Sequence, residues 1–142
     1  MTRSRLRGDE LIADRWLRAT PERVWTAFTT PAGIAAFWGG SHATVAPESV
    51  VVDARPGGEF AMDTGTTRLR FVYVSLDPPY RMVFDEPRTG LRTTVTIRAD
   101  GDGSHLTVHQ RRLPPRLRTR RAADGLASIL DALSDHLEKE NP

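Results

Sequence analysis

The last third of the chain carries a regular apolar stripe, and this stripe restricts the possible folds more than any other feature. Its spacing of three, one, three and four positions places all its members on one side of an α-helix. The members are Leu126, Ile129, Leu130, Leu133 and Leu137. A helix that is apolar on one side must cover that side with another element. The sequence therefore predicts a long C-terminal helix packed on a second layer.

Residues 44–111 supply that layer, because their apolar residues recur at every second position. The clearest run is 91–99, and its inward face carries Leu91, Thr93, Val95 and Ile97. Turn signals separate the runs, as in the stretch Asp100-Gly101-Asp102-Gly103. Short turns between consecutive strands favour an antiparallel sheet, here of about six strands, with arginine and threonine on its solvent side.

The block TPERVWTAFTTPAGIAAFWGG, residues 20–40, predicts two short helices at an angle. Thr20 is a favourable N-cap, and Pro21 suits the first helical position because no amide partner is lost there. Pro31 disfavours helical backbone at the residue before it, so it ends the first helix, and it can begin the second. Gly39-Gly40 then ends the second helix.

The whole pattern predicts an α+β protein. Residues 11–19 are expected to form the first strand, ahead of the two helices, while residues 1–8 are expected to be frayed. The prediction is a single domain over residues 1–142 with an ordered core of about 11–138. The sheet would then have about seven strands in all.

Composition limits the function classes. The 142 residues include no cysteine, which excludes disulfides and thiol chemistry and fits a cytoplasmic location. The N-terminus lacks the apolar core of a signal peptide, and no apolar run approaches the length of a membrane span. A net charge of +2 gives little support to a nucleic-acid partner, and none is predicted.

Six arginines nevertheless crowd the segment around Pro114-Pro115: Arg111, Arg112, Arg116, Arg118, Arg120 and Arg121. One interpretation is a patch that binds an anion, a membrane or a nucleic acid. The favoured interpretation is a solvated linker and helix start in a chain that uses arginine for nearly all its cations, since Lys139 is the only lysine.

Metal and nucleophilic sites are not predicted. His105 and His109 fall on one face of a strand about 13 Å apart, too far to share an ion, and no HExxH motif is present. Ser41 precedes His42, but adjacent residues rarely form a catalytic hydrogen bond. The glycines of RPGGEF, residues 55–60, join two strands rather than a strand and a helix, so they are expected to permit positive backbone dihedrals in a turn. No catalytic residue, metal or cofactor is assigned.

Four stretches together resemble the SRPBCC (START-like) superfamily, in the branch named for homologues of the heat-shock protein 90 ATPase activator. They are ATPERVWTAFTTPAGIAAFWGG, VVVDARPGGEFAM, FVYVSLDPPYRMVF and GLASILDALSDHL. The most specific pieces are Trp38-Gly39, the turn 53–58, and Asp77-Pro78-Pro79 followed by residues 81–84. The likeness runs from about Leu11 to Leu137.

The resemblance implies a helix-grip fold, in which a bent antiparallel sheet wraps the C-terminal helix and the two short helices close one end. It also implies a cavity between helix and sheet. The residues expected to line it are Trp25, Phe28, Phe37, Trp38, Phe60, Leu69, Phe71, Tyr73, Phe84, Thr93, Val95, Gln110, Leu126, Ile129, Leu130 and Leu133. This branch often has tryptophan where Leu126 stands. The smaller leucine would enlarge the cavity, while the ring of Phe71 would shrink it.

Three functions follow from the resemblance. The first is binding of a small apolar or amphiphilic ligand, such as a lipid or a polyketide-like molecule, by a monomer or weak homodimer. The second is a protein-interaction module linked to a chaperone, with a protein partner. The third is a cyclase-, aromatase- or hydrolase-like enzyme, for which Tyr73, Thr93, Gln110 and Asp63 are the polar candidates. Ligand binding is the predicted function, and an enzyme is the less favoured alternative.

Overall fold

The computed structural model describes residues 2–40 and 43–140, which form eight strands and three α-helices. The strands are β1 (Arg3–Arg7), β2 (Glu10–Leu17), β3 (Val51–Val52), β4 (Glu59–Asp63), β5 (Arg68–Asp77), β6 (Arg81–Asp85), β7 (Arg92–Asp100) and β8 (Gly103–Arg111). The helices are α1 (Pro21–Thr29), α2 (Pro31–Phe37) and α3 (Arg120–Lys139). Single 3-10 turns cover Pro47–Ser49 and Pro115–Leu117.

All eight strands lie in one curved antiparallel sheet with the order β1-β2-β8-β7-β6-β5-β4-β3. Strands β3 to β8 form a meander, and β2 returns beside β8. This confirms the predicted α+β helix-grip architecture, with one strand more than expected. None of the helices in the described chain is long and apolar enough to cross a membrane.

The additional strand is β1, so the prediction that residues 1–8 are frayed is wrong. β1 pairs with β2 in regular register, from Arg3 opposite Asp14 to Arg7 opposite Glu10. The Asp14 carboxylate lies 3.6 Å from the Arg3 guanidinium. The segment RSRLR has one apolar residue, Leu6, and charged edge strands of this kind give only a weak hydrophobic pattern.

Helices α1 and α2 begin as the sequence predicts. The Thr20 hydroxyl accepts a hydrogen bond from the Arg23 amide at 3.3 Å, and the Thr30 hydroxyl accepts one from the Gly33 amide at 3.2 Å. A Cβ atom on Gly33 would lie 2.3 Å from the Ala27 carbonyl oxygen. Glycine therefore allows the two short helices to meet at a sharp corner.

The core lies between α3 and the inner face of the sheet. The predicted stripe is confirmed, since α3 buries Leu126, Leu130, Leu133 and Leu137. The alternation in β7 is also confirmed, since its odd-numbered residues from Thr93 to Ile97 are buried. On the outer face, charged side chains pair across strands, as Arg70 does with Glu59 at 2.6 Å.

Candidate functional site

A largely enclosed cavity of about 40 Å³ lies between α3 and the middle of the sheet. Its walls come from α1, the end of α2, strands β6 to β8, and α3. The lining residues are Phe28, Trp38, Phe84, Thr93, Val95, Val108, Gln110, Leu126, Ile129 and Leu130. One water occupies roughly 10–15 Å³ on this kind of measure, so the cavity has room for about three waters or a small chemical group.

An apolar groove of about 340 Å³ runs along the N-terminal half of α3 and opens to solvent. It is lined by Leu11, Leu69, Leu91, Gln110, Leu113, Leu117, Ala122, Gly125, Leu126 and Ile129. Gln110, Leu126 and Ile129 also line the enclosed cavity. These three side chains therefore form the wall between cavity and groove, and we call them the partition.

Aromatic rings fill much of the space beside the cavity. Trp38 lies at their centre, with its ring centroid 5.5 Å from that of Phe60 and 5.6 Å from that of Phe71. Phe60 and Phe71 stack at 4.7 Å, and Phe84 meets Phe60 edge-on at 4.9 Å. Rings packed in this way account for the small volume of the cavity, because each buries a large area without leaving gaps.

The structure divides the predicted cavity residues into two groups. Those that line the cavity or the groove are Phe28, Trp38, Leu69, Phe84, Thr93, Val95, Gln110, Leu126, Ile129 and Leu130. Those that pack in or against the core but do not line either space are Trp25, Phe37, Phe60, Phe71, Tyr73 and Leu133. Involvement of either group in ligand binding stays a prediction.

Sequence reasoning missed Val108 in the cavity and most of the groove. Val108 is two residues before Gln110 on β8 and so lies on the same face of the strand, and this alternation could have predicted its place in the cavity wall. Leu113 lies two residues before the 3-10 turn in the arginine-rich segment, and Leu117 is the last residue of that turn. The many charged residues of this segment obscure its apolar spacing. Leu113 is 1% exposed, and its amide donates to the Asp9 carbonyl at 2.9 Å, which fixes this segment beside the β1–β2 turn.

Two polar side chains stand in the otherwise apolar cavity wall. Thr93 on β7 and Gln110 on β8 are directly opposite each other in the antiparallel register. Neither side chain hydrogen-bonds to another described residue. No ionisable side chain of the described residues lines the cavity. The wall therefore offers neutral hydrogen-bonding groups rather than an acid–base pair.

Tyr73 is buried at 1% exposure, yet its hydroxyl has no hydrogen-bond partner among the described residues. The hydroxyl therefore reaches neither solvent nor a carbonyl of the described residues. Burial, followed by the negative charge of Asp53, raises the pKa of the Tyr73 phenol far above its ordinary value. Tyr73 is consequently a neutral phenol that lies beside Phe60 and Phe84, outside the cavity wall.

Asp63, the fourth polar candidate, lies on the surface. Its carboxylate accepts a hydrogen bond from Arg68 at 2.9 Å, and its side chain is 55% exposed. Asp63 therefore does not face the cavity, as a polar group of an enzyme site there would have to. The residue is the last of β4, where a shift of one position changes the face.

The histidines on β8 lie on the outer face, as predicted. His105 is 3.7 Å from the Asp14 carboxylate, and His109 pairs with Glu10. Within the described ranges, no group of three or more histidine, aspartate or glutamate side chains is arranged to hold a metal ion. Ser41 and His42 lie outside the described residues.

Four of the six clustered arginines have partners within the protein. Arg112 lies 3.7 Å from Asp85, and Arg111 lies 4.0 Å from Glu10. Arg118 donates to the Leu113 carbonyl at 2.9 Å, and Arg120 lies 3.4 Å from Asp124. Among the described residues, Arg116 and Arg121 make no such contact; both are exposed and flank groove residues Leu117 and Ala122.

The open sheet wrapped on a long C-terminal helix, with two short helices at one end, defines a helix-grip domain of the START-like class. The chain belongs to the family described as "Activator of Hsp90 ATPase homolog 1-like protein", whose model matches residues 18–138. No curated protein matches the sequence significantly.

Solved structures give the same fold. A protein from Rhodobacter sphaeroides superposes with a TM-score of 0.82 at 20% identity, over 98% of this chain and 99% of that one. An AHSA1-like protein from Aeromonas hydrophila gives 0.76 at 20% identity, over 93% and 94%. The Aha1 dimer from Colwellia psychrerythraea gives 0.76 at 16% identity, over 91% and 96%. Identities this low establish the fold alone.

Proposed function

We propose that this protein binds a small apolar or amphiphilic molecule, of the lipid or polyketide-like kind, between α3 and the sheet. One observation carries the proposal: an apolar groove of about 340 Å³ meets an enclosed cavity at a shared partition of three side chains. The groove is at the lower end of the 300–1,000 Å³ typical of small-molecule sites, whereas the cavity alone is far below it.

Rotation of the partition side chains would join the two spaces. Leu126 and Ile129 are on α3, and aliphatic side chains change rotamer without breaking hydrogen bonds. Burying roughly 300 Å² of ligand surface at about 25 cal/mol per Å² contributes about 7 kcal/mol before the costs of association. Micromolar or weaker affinity is therefore expected, and no catalytic residue is needed.

The test combines native mass spectrometry of freshly purified protein with organic extraction of bound molecules. A stoichiometric apolar compound supports the proposal. A parallel NMR titration with naphthalene measures binding directly, with shifts expected at residues of the groove and cavity. Shifts confined to the outer face of the sheet would contradict it.

A pair of variants localises the binding. Ala122→Trp places a large ring in the groove and should abolish the naphthalene shifts. Ala127→Trp makes the same change on α3 at a partly exposed position that lines neither space, and it should leave binding intact. Equal binding by both variants would exclude the groove.

The family description favours a second candidate, stimulation of heat-shock protein 90 as a lone interaction module. Arg116 and Arg121 are exposed and make no ion pair or side-chain hydrogen bond with another described residue, so they are the best candidates for contact with an acidic partner. Arg116→Glu/Arg121→Glu should weaken any effect on the chaperone's ATPase rate, whereas exposed Arg18→Glu should not. Sedimentation of the same samples tests whether the chain is a monomer or a weak homodimer.

A further inference from the structure

We infer that the ligand is a neutral molecule with a large apolar body and one small hydrogen-bonding group, bound with that group pointing inward to Thr93 and Gln110. The inference rests on the proposed function and names the ligand class. It assigns the enclosed cavity to the polar group and the outer groove to the apolar body.

The first support is the state of the two polar side chains. Thr93 is 3% exposed and lines the cavity, and Gln110 lies directly across from it on β8. The backbone groups of both residues belong to the β7–β8 ladder. Their side chains have no partner among the described residues. The Thr93 hydroxyl is therefore almost completely removed from bulk water, whereas the amide of the partly exposed Gln110 stands where the cavity meets the groove. A ligand group that hydrogen-bonds to the buried hydroxyl gives it the partner that the described residues do not supply.

The second support is the distribution of charge. No cationic side chain of the described residues lines the cavity. The arginine-rich segment 111–121 lies at the surface and contributes Leu113 and Leu117 to the groove rather than any residue to the cavity. Placing an ionised carboxylate or phosphate in the cavity would leave it without a counter-ion, which is far more costly than burying a neutral group. A hydroxyl or carbonyl is therefore the favoured inner group.

The third support is size. A cavity of about 40 Å³ accepts a hydroxyl or carbonyl but not a ring, whereas the 340 Å³ groove accepts a ring system or a chain segment. Gln110 belongs to both spaces. Its amide can therefore contact a polar group at the point where the ligand passes the partition.

The experiment compares three probes of similar shape: naphthalene, 2-naphthol and 2-naphthoate. Dissociation constants come from NMR titration of the wild-type protein and of Thr93→Val and Gln110→Met, which remove hydrogen-bonding groups with little change of shape. Thr94→Val is the matched control, because it is the same substitution on the opposite face of β7.

For the wild type, 2-naphthol should bind about 3- to 10-fold more tightly than naphthalene, the value of one net hydrogen bond, and 2-naphthoate should bind more weakly than both. Thr93→Val and Gln110→Met should reduce the naphthol advantage, and Thr94→Val should not. The inference would be overturned if naphthalene and 2-naphthol bound equally well, or if 2-naphthol still bound more tightly than naphthalene in both cavity variants. The proposed function would remain supported in either case. Tighter binding of 2-naphthoate than of the other two probes would overturn the inference that the ligand is neutral. No binding of any probe would overturn both.

Discussion

The Asp85 carboxylate accepts two hydrogen bonds of 2.8 Å from the guanidinium of Arg92, its direct neighbour across β6 and β7. These hydrogen bonds lower the pKa of Asp85 below its ordinary value, and burial opposes the effect only in part. A carboxyl whose pKa is lower in the folded state stabilises the fold above its unfolded pKa of about 3.9. That stabilisation is lost as the pH falls through the folded pKa.

Asp85→Asn should therefore lower the free energy of unfolding at pH 7 by about 0.5–1 kcal/mol, a modest value because both side chains are partly exposed. The difference from wild type should shrink as denaturant titrations are repeated toward pH 3. Asp135→Asn, at an exposed position of α3, is the control and should show no such trend. A pH-independent difference would show that the pair acts through packing.

Gly58 should tolerate no side chain. A Cβ atom there would lie 2.1 Å from the Asp53 carbonyl oxygen, and the Gly58 carbonyl accepts a 2.9 Å hydrogen bond from the Tyr73 amide. Gly58→Ala should cost about 2–4 kcal/mol of stability by thermal or chemical unfolding. Gly57→Ala meets open space but has a φ of +83°, so about 1–2 kcal/mol is expected. Equal costs would mean that the close approach to Asp53 is unimportant.

This turn also shows how far sequence reasoning extends. Two adjacent glycines between strands predict a turn with positive dihedrals, and Gly57 confirms it. Gly58 requires glycine for a different reason, because the backbone of Asp53 lies too close to leave room for a Cβ atom. A local sequence pattern predicts the turn. It does not predict that the backbone of Asp53 occupies the space where a side chain at position 58 would lie.

The same distinction applies to the elements and the site. Capping at Thr20, the alternation of β7 and the stripe of α3 are local patterns, and all were predictable. β1 was not, because its stability comes from backbone pairing with β2 rather than from apolar periodicity. The volume of the cavity was not predictable either, since it depends on how the ring of Trp38 packs among Phe60, Phe71 and Phe84.

Tyr73→Phe should leave stability at pH 7 unchanged or raise it by up to about 1 kcal/mol, because the hydroxyl is buried without a partner among the described residues. The raised phenol pKa adds a second effect. The folded state disfavours phenolate, so wild-type stability should fall as the pH rises above the unfolded value of about 10. Tyr73→Phe should lack this part of the loss of stability at alkaline pH.

Exposed Tyr80→Phe is the control for Tyr73 and should be neutral at pH 7. In the Tyr80→Phe protein, Tyr73 is the only tyrosine, so its ionisation can be followed by absorbance. Ionisation in the ordinary range while the protein remains folded would contradict burial of the hydroxyl. A loss above about 1 kcal/mol in Tyr73→Phe would show that the hydroxyl has a partner.

Shortening Leu126, one of the three partition side chains, should lower stability but strengthen ligand binding. Leu126 lies between cavity and groove, so Leu126→Ala would connect them. It should lower the free energy of unfolding by about 2–4 kcal/mol, as large-to-small core changes do. Naphthalene should bind several-fold more tightly, because it need not displace the leucine side chain.

Leu137→Ala is the matched control. Leu137 lies on the same stripe of α3 and is 1% exposed, but it lines neither space. Its replacement should cost similar stability and leave the naphthalene dissociation constant unchanged. Calorimetry or NMR titration of the two variants separates the possibilities. Tighter binding by both would indicate general loosening of the core, whereas tighter binding by Leu126→Ala alone would identify the partition as the barrier that a ligand must pass.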